Sequence, residues 1–142
     1  MHIHDLSQTI EAHWFWDSFP LVSQSYEDGD EFQEFGLRWA GKGFTYSSAP
    51  GWHFAGMPSL DDINPEVFAS VAQVVDVSEA AASGVVNAGD FTSKIGFDEL
   101  PIIIVLKTGH ADKIPIRRRD YWTQVPAISP AIAEIAADRG VT

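Results

Sequence analysis

Residues 101–108 read Pro-Ile-Ile-Ile-Val-Leu-Lys-Thr, and the unbroken apolar run from Ile102 to Leu106 is the strongest strand signal in the chain. A continuous run of this kind, rich in β-branched side chains, implies burial on both faces, as in a central strand covered by helices. The segments around it agree. Residues 71–77, Val-Ala-Gln-Val-Val-Asp-Val, form a second buried-type strand, and a short helix is expected over about 88–94, closed by Gly96. After the central strand comes the clearest helix. Ser129 is placed as its cap and Pro130 as its first residue; Ile132, Ile135 and Ala136 share one face, and Arg139-Gly140 supplies the stop. Gly140-Val141-Thr142 then reads as the lead-in to another buried strand.

Upstream, residues 3–8 are expected as a short strand, followed by the aromatic cluster Trp14-Phe15-Trp16 and Pro20. Residues 26–31 form an acidic turn around Gly29, and 32–39 alternate apolar and polar side chains as a half-buried strand does. A Gly/Ser/Pro-rich loop follows. Asn64-Pro65-Glu66 has the form of an N-cap, a first-turn proline and a first-turn acid opening a short helix. With no internal repeat and no low-complexity linker, residues 1–142 read as one mixed α/β domain.

The chain has 142 residues, 45 % of them apolar, enough for one hydrophobic core. Its net charge of −11 repels phosphate backbones and anionic lipid, so neither nucleic acid nor membrane is expected as a partner. No apolar run approaches the roughly 20 residues that span a bilayer. The start, Met1-His2-Ile3-His4-Asp5, lacks a basic and then apolar leader, which makes the cytoplasm the expected location. Without cysteine there is no disulfide, thiolate nucleophile or thiolate metal site.

The loop 41–54, Gly-Lys-Gly-Phe-Thr-Tyr-Ser-Ser-Ala-Pro-Gly-Trp-His-Phe, resembles the signature of the cyclase family, which includes bacterial kynurenine formamidase and isatin hydrolase. That signature runs His-x-Gly-Thr-His-x-Asp-Ala-Pro-x-His-Phe, with a variant carrying Phe between Gly and Thr. Thr45, Ala49, Pro50, His53 and Phe54 match it. Further landmarks fall in family order: the opening segment 3–8 with Asp5-Leu6-Ser7, the Trp/Pro segment 14–20, Ser59-Leu60-Asp61-Asp62-Ile63, Val74-Val75-Asp76-Val77-Ser78, Leu106-Lys107-Thr108-Gly109-His110, and Ile128-Ser129-Pro130-Ala131. The resemblance implies a swivelling β/β/α fold with a mixed sheet flanked by helices. The resemblance covers the front part of the family fold, so a shortened fold is expected, whether the protein is naturally short, was cut, or is completed by a second polypeptide. A homo-oligomer, or a second polypeptide completing the fold, is therefore expected.

The departures bear on chemistry. The family's three metal-ligand positions are held by Lys42, Tyr46 and Ser48. An ammonium, a phenol and a hydroxyl do not hold a divalent cation at neutral pH as two imidazoles and a carboxylate do, so no metal and no other cofactor is expected. One extra residue separates Pro50 from the histidine; either His53 keeps the family role from a displaced position, or Trp52 fills that slot and His53 packs.

The candidate residues each have two readings. His53 can act as a general acid or base, imidazole being the side chain that titrates nearest neutral pH, or it is a loop histidine satisfied by backbone. Tyr46 can donate to a carbonyl or developing oxyanion, or fill the volume of the lost metal site. Lys42 can hold a carboxylate or enolate, or is simply solvated; Ser48 can contact substrate, or is a turn hydroxyl. Trp14, Trp16 and Trp52 can line an apolar pocket, while Trp39 and Trp122, like any of them, can serve the core. His2 and His4 would face one side of a strand but lack a third ligand. His110, with Asp112 nearby, follows the central strand, at the end where α/β folds place function. Arg117-Arg118-Arg119 reads as a solvated loop or a partner contact. Three functions are open under the resemblance, the last of them an ordinary metal hydrolase with ligands from outside the signature, which the three substitutions disfavour. The first is a metal-independent enzyme with His53 and Tyr46 as catalytic groups, acting on a small cyclic or carbonyl-bearing molecule by hydrolysis, ring formation or elimination. The second is a non-catalytic subunit or small-molecule-binding pseudoenzyme that completes or regulates a metal-bearing relative.

Overall fold

The computed structural model describes residues 2–16, 19–38, 40–96 and 100–141, the side chains of Phe19 and Pro20 excepted. It is a mixed α/β structure of small sheets and short helices, in two compact units, Met1–Leu60 and Asp61–Thr142. Among the described residues no helix is long and apolar enough to cross a membrane.

The first unit is built on a hairpin. Strand β1 (Phe19–Gln24) pairs antiparallel with β2 (Glu34–Arg38), Leu21 opposite Gly36 and Val22 opposite Phe35, with a register shift before Gln24. The acidic turn between them is ordered by short-range bonds. Ser25 Oγ accepts from the Glu27 amide, Asp30 accepts from the Ser25 amide at 2.8 Å, and Gly29 closes the turn at φ 89°, a left-handed conformation that favours glycine. The half-buried strand expected over 32–39 exists as β2, but all five of its residues are exposed. Trp39 lies outside the described residues.

Residues 3–8 form no strand. No neighbouring strand pairs with them among the described residues, and Ile3 and Leu6 are exposed. The Gln8 amide instead donates to Thr45 Oγ1 at 2.9 Å, so a side chain takes the place of a sheet ladder. The unit's small core gathers around Trp16, which is 5 % exposed. The His13 and Phe44 rings lie 4.6 and 4.7 Å from it, centroid to centroid.

The second unit contains the central run. Strand β3 (Ala72–Asp76) pairs in parallel with β5 (Ile103–Lys107), and the two-residue strands β4 (Val85–Val86) and β6 (Ala127–Ile128) pair likewise. The connections are short helices: α1 (Ser78–Ala81), α2 (Ala88–Thr92), α3 (His110–Lys113) and α4 (Arg119–Thr123); α5 (Pro130–Asp138) follows β6. Helix α2 begins with a reciprocal capping box between Asn87 and Asp90, which satisfies backbone donors that the first turn leaves free. Asn64 caps a 3-10 turn at Pro65–Phe68 by accepting from the Glu66 amide.

Val75, Val77, Val86, Phe91, Ile95, Leu100 and Ile132 make the core, with Ile104, Leu106 and Ile135 packed against it. Strand alternation explains which half of the apolar run takes part. Ile104 and Leu106 share the covered face with Val75, while Ile103 and Val105 share the other with Ala72 and Val74. Burial on both faces is therefore not what the run achieves: Ile103 to Leu106 are half-buried, and Val74 remains 61 % exposed. Helices α2 and α5 contribute Phe91 and Ile132 to the covered face.

Helix α5 starts and stops where expected, at Pro130 and just before Gly140, whose φ is 87°. Ser129 does not cap it through its side chain. Its amide donates to Val86 O at 3.0 Å, extending the β4–β6 pairing up to the first helical turn. The strand expected to open at Gly140 is not seen through Val141; Thr142 lies outside the described residues.

Candidate functional site

The loop after β2 is folded by its own backbone. Pro50–Trp52 forms a 3-10 turn in which the His53 and Phe54 amides both donate to Pro50 O at 3.0 Å. The Gly51 amide donates to Pro58 O at 2.7 Å and closes the loop on itself. A Cβ at position 51 would lie 2.8 Å from the carbonyl oxygens of both Met57 and Pro58, so this crossing requires glycine. Phe44 adopts φ 57°, a left-handed conformation costing a bulky residue roughly 1–3 kcal/mol. Burial of its ring between His13 and Trp16, of the order of 2 kcal/mol, offsets that cost.

This frame brings Lys42 and Trp52 together. The ammonium sits 5.2 Å from the centre of the indole, both groups at the surface, in cation–π geometry. The indole edge also covers Gly41, where a Cβ would come within 3.3 Å. Tyr46, Ser48 and His53 are exposed, and no hydrogen bond joins their side chains to one another. The His53 ring has Phe54 as its aromatic neighbour, at 6.3 Å. Of the two N-terminal tryptophans, Trp14 is half exposed beside His13 and Phe15, whereas Trp16 is a core residue. His13 Nδ1 accepts from the Phe15 amide at 3.2 Å, which commits that nitrogen to the backbone. Among the described residues, no three His, Cys, Asp or Glu side chains gather into a set that could hold a metal ion.

A second constellation occupies the carboxyl ends of β3 and β5. Asp76 and Lys107 are register partners, their side chains 3.2 Å apart, and Ser78 Oγ donates to the same carboxylate at 2.6 Å. The Ser78 hydroxyl and amide, and then Lys107, hold the Asp76 pKa down at about 2. One residue beyond Gly109, which turns the chain at φ 63°, stands His110. Its Nε2 lies 2.9 Å from Tyr121 O. A carbonyl only accepts, so Nε2 carries the proton and Nδ1 is the nitrogen left for other partners. The Tyr121 ring packs at 4.5 Å, and burial raises its phenol pKa. A cavity of about 160 Å³ opens here, lined in part by Thr108, His110, Lys113 and Gln124.

Sequence reasoning singled out His110 by its place after the run but missed Lys113 and Gln124. Lys113 stands one helical turn after His110 within α3, whereas Gln124 joins them from the chain beyond α4, which no local spacing encodes. The basic run is partly neutralised locally: Arg118 makes a two-pronged pair with Asp120, at 2.8 and 2.6 Å. Each group stabilises the charge of the other, so Asp120 is lowered and Arg118 raised. In comparisons with protein-family models, curated proteins and solved structures, nothing matches this chain.

Proposed function

We propose that the chain is a cyclase-like protein that binds a small cyclic or carbonyl-bearing organic molecule at loop 42–54 without metal chemistry. One observation carries this reading. The positions where the resembling family places its ligands hold Lys42, Tyr46 and Ser48, all exposed and none joined to His53 by a hydrogen bond. These groups do not suit a divalent cation, and a set without mutual contacts lacks the preorganisation that stabilises a transition state. What the loop offers is an indole plane, an ammonium, a phenol and an imidazole at the surface. Such groups bind an aromatic or carbonyl compound by stacking and hydrogen bonding. The Gln8–Thr45 bond supports the family likeness, because it joins the opening segment to the signature loop through a matching threonine.

The enzyme reading rests on His53 and Tyr46. Both side chains are exposed with no internal hydrogen bond, so a bound substrate could meet an imidazole base and a phenol donor. One experiment separates the two readings. The protein is titrated with aryl formamides, cyclic amides and lactones, following tryptophan fluorescence, while products are assayed by chromatography. The binding reading expects saturable quenching that disappears in Trp52→Ala, without turnover. Turnover that falls roughly 10²-fold or more in His53→Ala establishes the enzyme reading instead. Neither quenching nor turnover across the panel overturns both.

A further inference from the structure

We propose that the cavity at the carboxyl end of β5 is a separate site for a small organic acid, held by its carboxylate. Its lining residues all belong to the unit 61–142 and none to the loop 42–54. Location is the first argument: ligands of parallel α/β sheets bind beyond the carboxyl ends of the strands, and Thr108 and His110 stand directly after β5. Charge is the second. In a chain of net charge −11, no carboxylate lines this cavity, and its one permanently charged wall residue is Lys113. Among the described residues no ion pair engages that ammonium. The third is preparation. His110 is held by its bond to Tyr121 O and by the Tyr121 ring, so the wall it forms has a defined position before any ligand arrives; its Nδ1, an acceptor, suits a ligand hydroxyl such as that of glycolate rather than the carboxylate.

Size sets the ligand class. About 160 Å³ corresponds to roughly five water volumes, room for an acid of a few carbons. Lys113 meets the carboxylate as a point charge. The Gln124 amide and the Thr108 hydroxyl are the available hydrogen-bonding groups, and Ile114 and Pro126 give the carbon end an apolar wall.

The test uses the whole chain, isotope-labelled, titrated with acetate and glycolate and followed by NMR. Acetamide serves as the neutral control and inorganic phosphate as the competing anion. Saturable shifts at His110, Lys113 and Gln124 are expected with the two acids and not with acetamide. Lys113→Met should weaken binding roughly tenfold or more, the worth of one charge-assisted hydrogen bond, and Lys113→Arg should retain it. Lys113 is exposed, so both variants should keep the wild-type spectrum elsewhere. Absent shifts, equal shifts with acetamide, an effect confined to phosphate, or binding unchanged in Lys113→Met would each overturn the proposal.

Discussion

The Lys107 ammonium lies 3.2 Å from the Asp76 carboxylate, across the parallel register of β3 and β5, yet the lysine is not the main reason that Asp76 stays ionised. The Ser78 hydroxyl contributes most, the Ser78 amide next, and only then Lys107. Folding thus lowers this pKa from the ordinary 3.8 to about 2. A depressed carboxylate contributes stability that is complete above its unfolded pKa and fades as pH falls through the folded one. The expected window is therefore between about pH 4 and pH 2. An NMR titration of the Asp76 carboxyl carbon should show the pKa rising in Ser78→Ala and in Lys107→Met, with part of the depression kept in each through the Ser78 amide. A pKa unmoved by Ser78→Ala would overturn the assignment.

Gly51 should tolerate no side chain. A Cβ there meets two main-chain oxygens at 2.8 Å, and backbone cannot swing aside as a flexible side chain would. Gly51→Ala is expected to cost roughly 1–3 kcal/mol and to remove exchange protection from the amide that bonds Pro58 O. Denaturant melts and hydrogen exchange of the variant check this; wild-type stability with the amide still protected would count against the loop geometry.

The elements most legible in the sequence were those specified locally. Pro130 and Gly140 bracket α5, Asn64 caps its turn, and Gly29 closes the acidic turn, because caps and left-handed glycines act within a few residues of themselves. What depended on distant partners was not legible. The segment 3–8 has a strand's pattern but bonds to a threonine 37 residues away from Gln8. The hairpin strand β1 was hidden by Pro20 and by an aromatic run that reads equally well as core. The surroundings of the site residues belong to the same class: nothing near Lys42 announces that Trp52 will lie over it, or that Trp16 will be interior while Trp14 is half exposed.

Phe91 anchors the second unit. It is fully buried against a core that includes Val75, Val86 and Ile132, although α2 itself has only five residues and little helical stability of its own. Phe91→Ala should cost roughly 3–5 kcal/mol, a large part of the stability of an ordinary domain. Thermal melts should show a loss of cooperativity across residues 61–142, and Phe91→Leu should recover most of it. A variant that melts like the wild type would show that this side chain does not hold the core.

The outer face of the β3–β5 pair leads to the last prediction. Ala72, Val74, Ile103 and Val105 form it, Val74 with 61 % of its surface exposed, and the Asp76–Lys107 pair bounds it at one end. Apolar sheet faces left in water associate, and in soluble chains the commonest solution is a symmetric dimer. We therefore expect a second copy to cover this face, with the ion pair at the rim of the contact. Light scattering should give a mass above that of one 15.6 kDa chain at high protein concentration. Val74→Lys should restore the monomer mass while leaving the circular dichroism unchanged, since an exposed side chain is replaced without disturbing the covered face. An equivalent substitution on the exposed hairpin, Val22→Lys, should leave the mass as it was. A wild type that stays monomeric throughout, or a Val22→Lys variant that dissociates while Val74→Lys does not, would place the contact elsewhere.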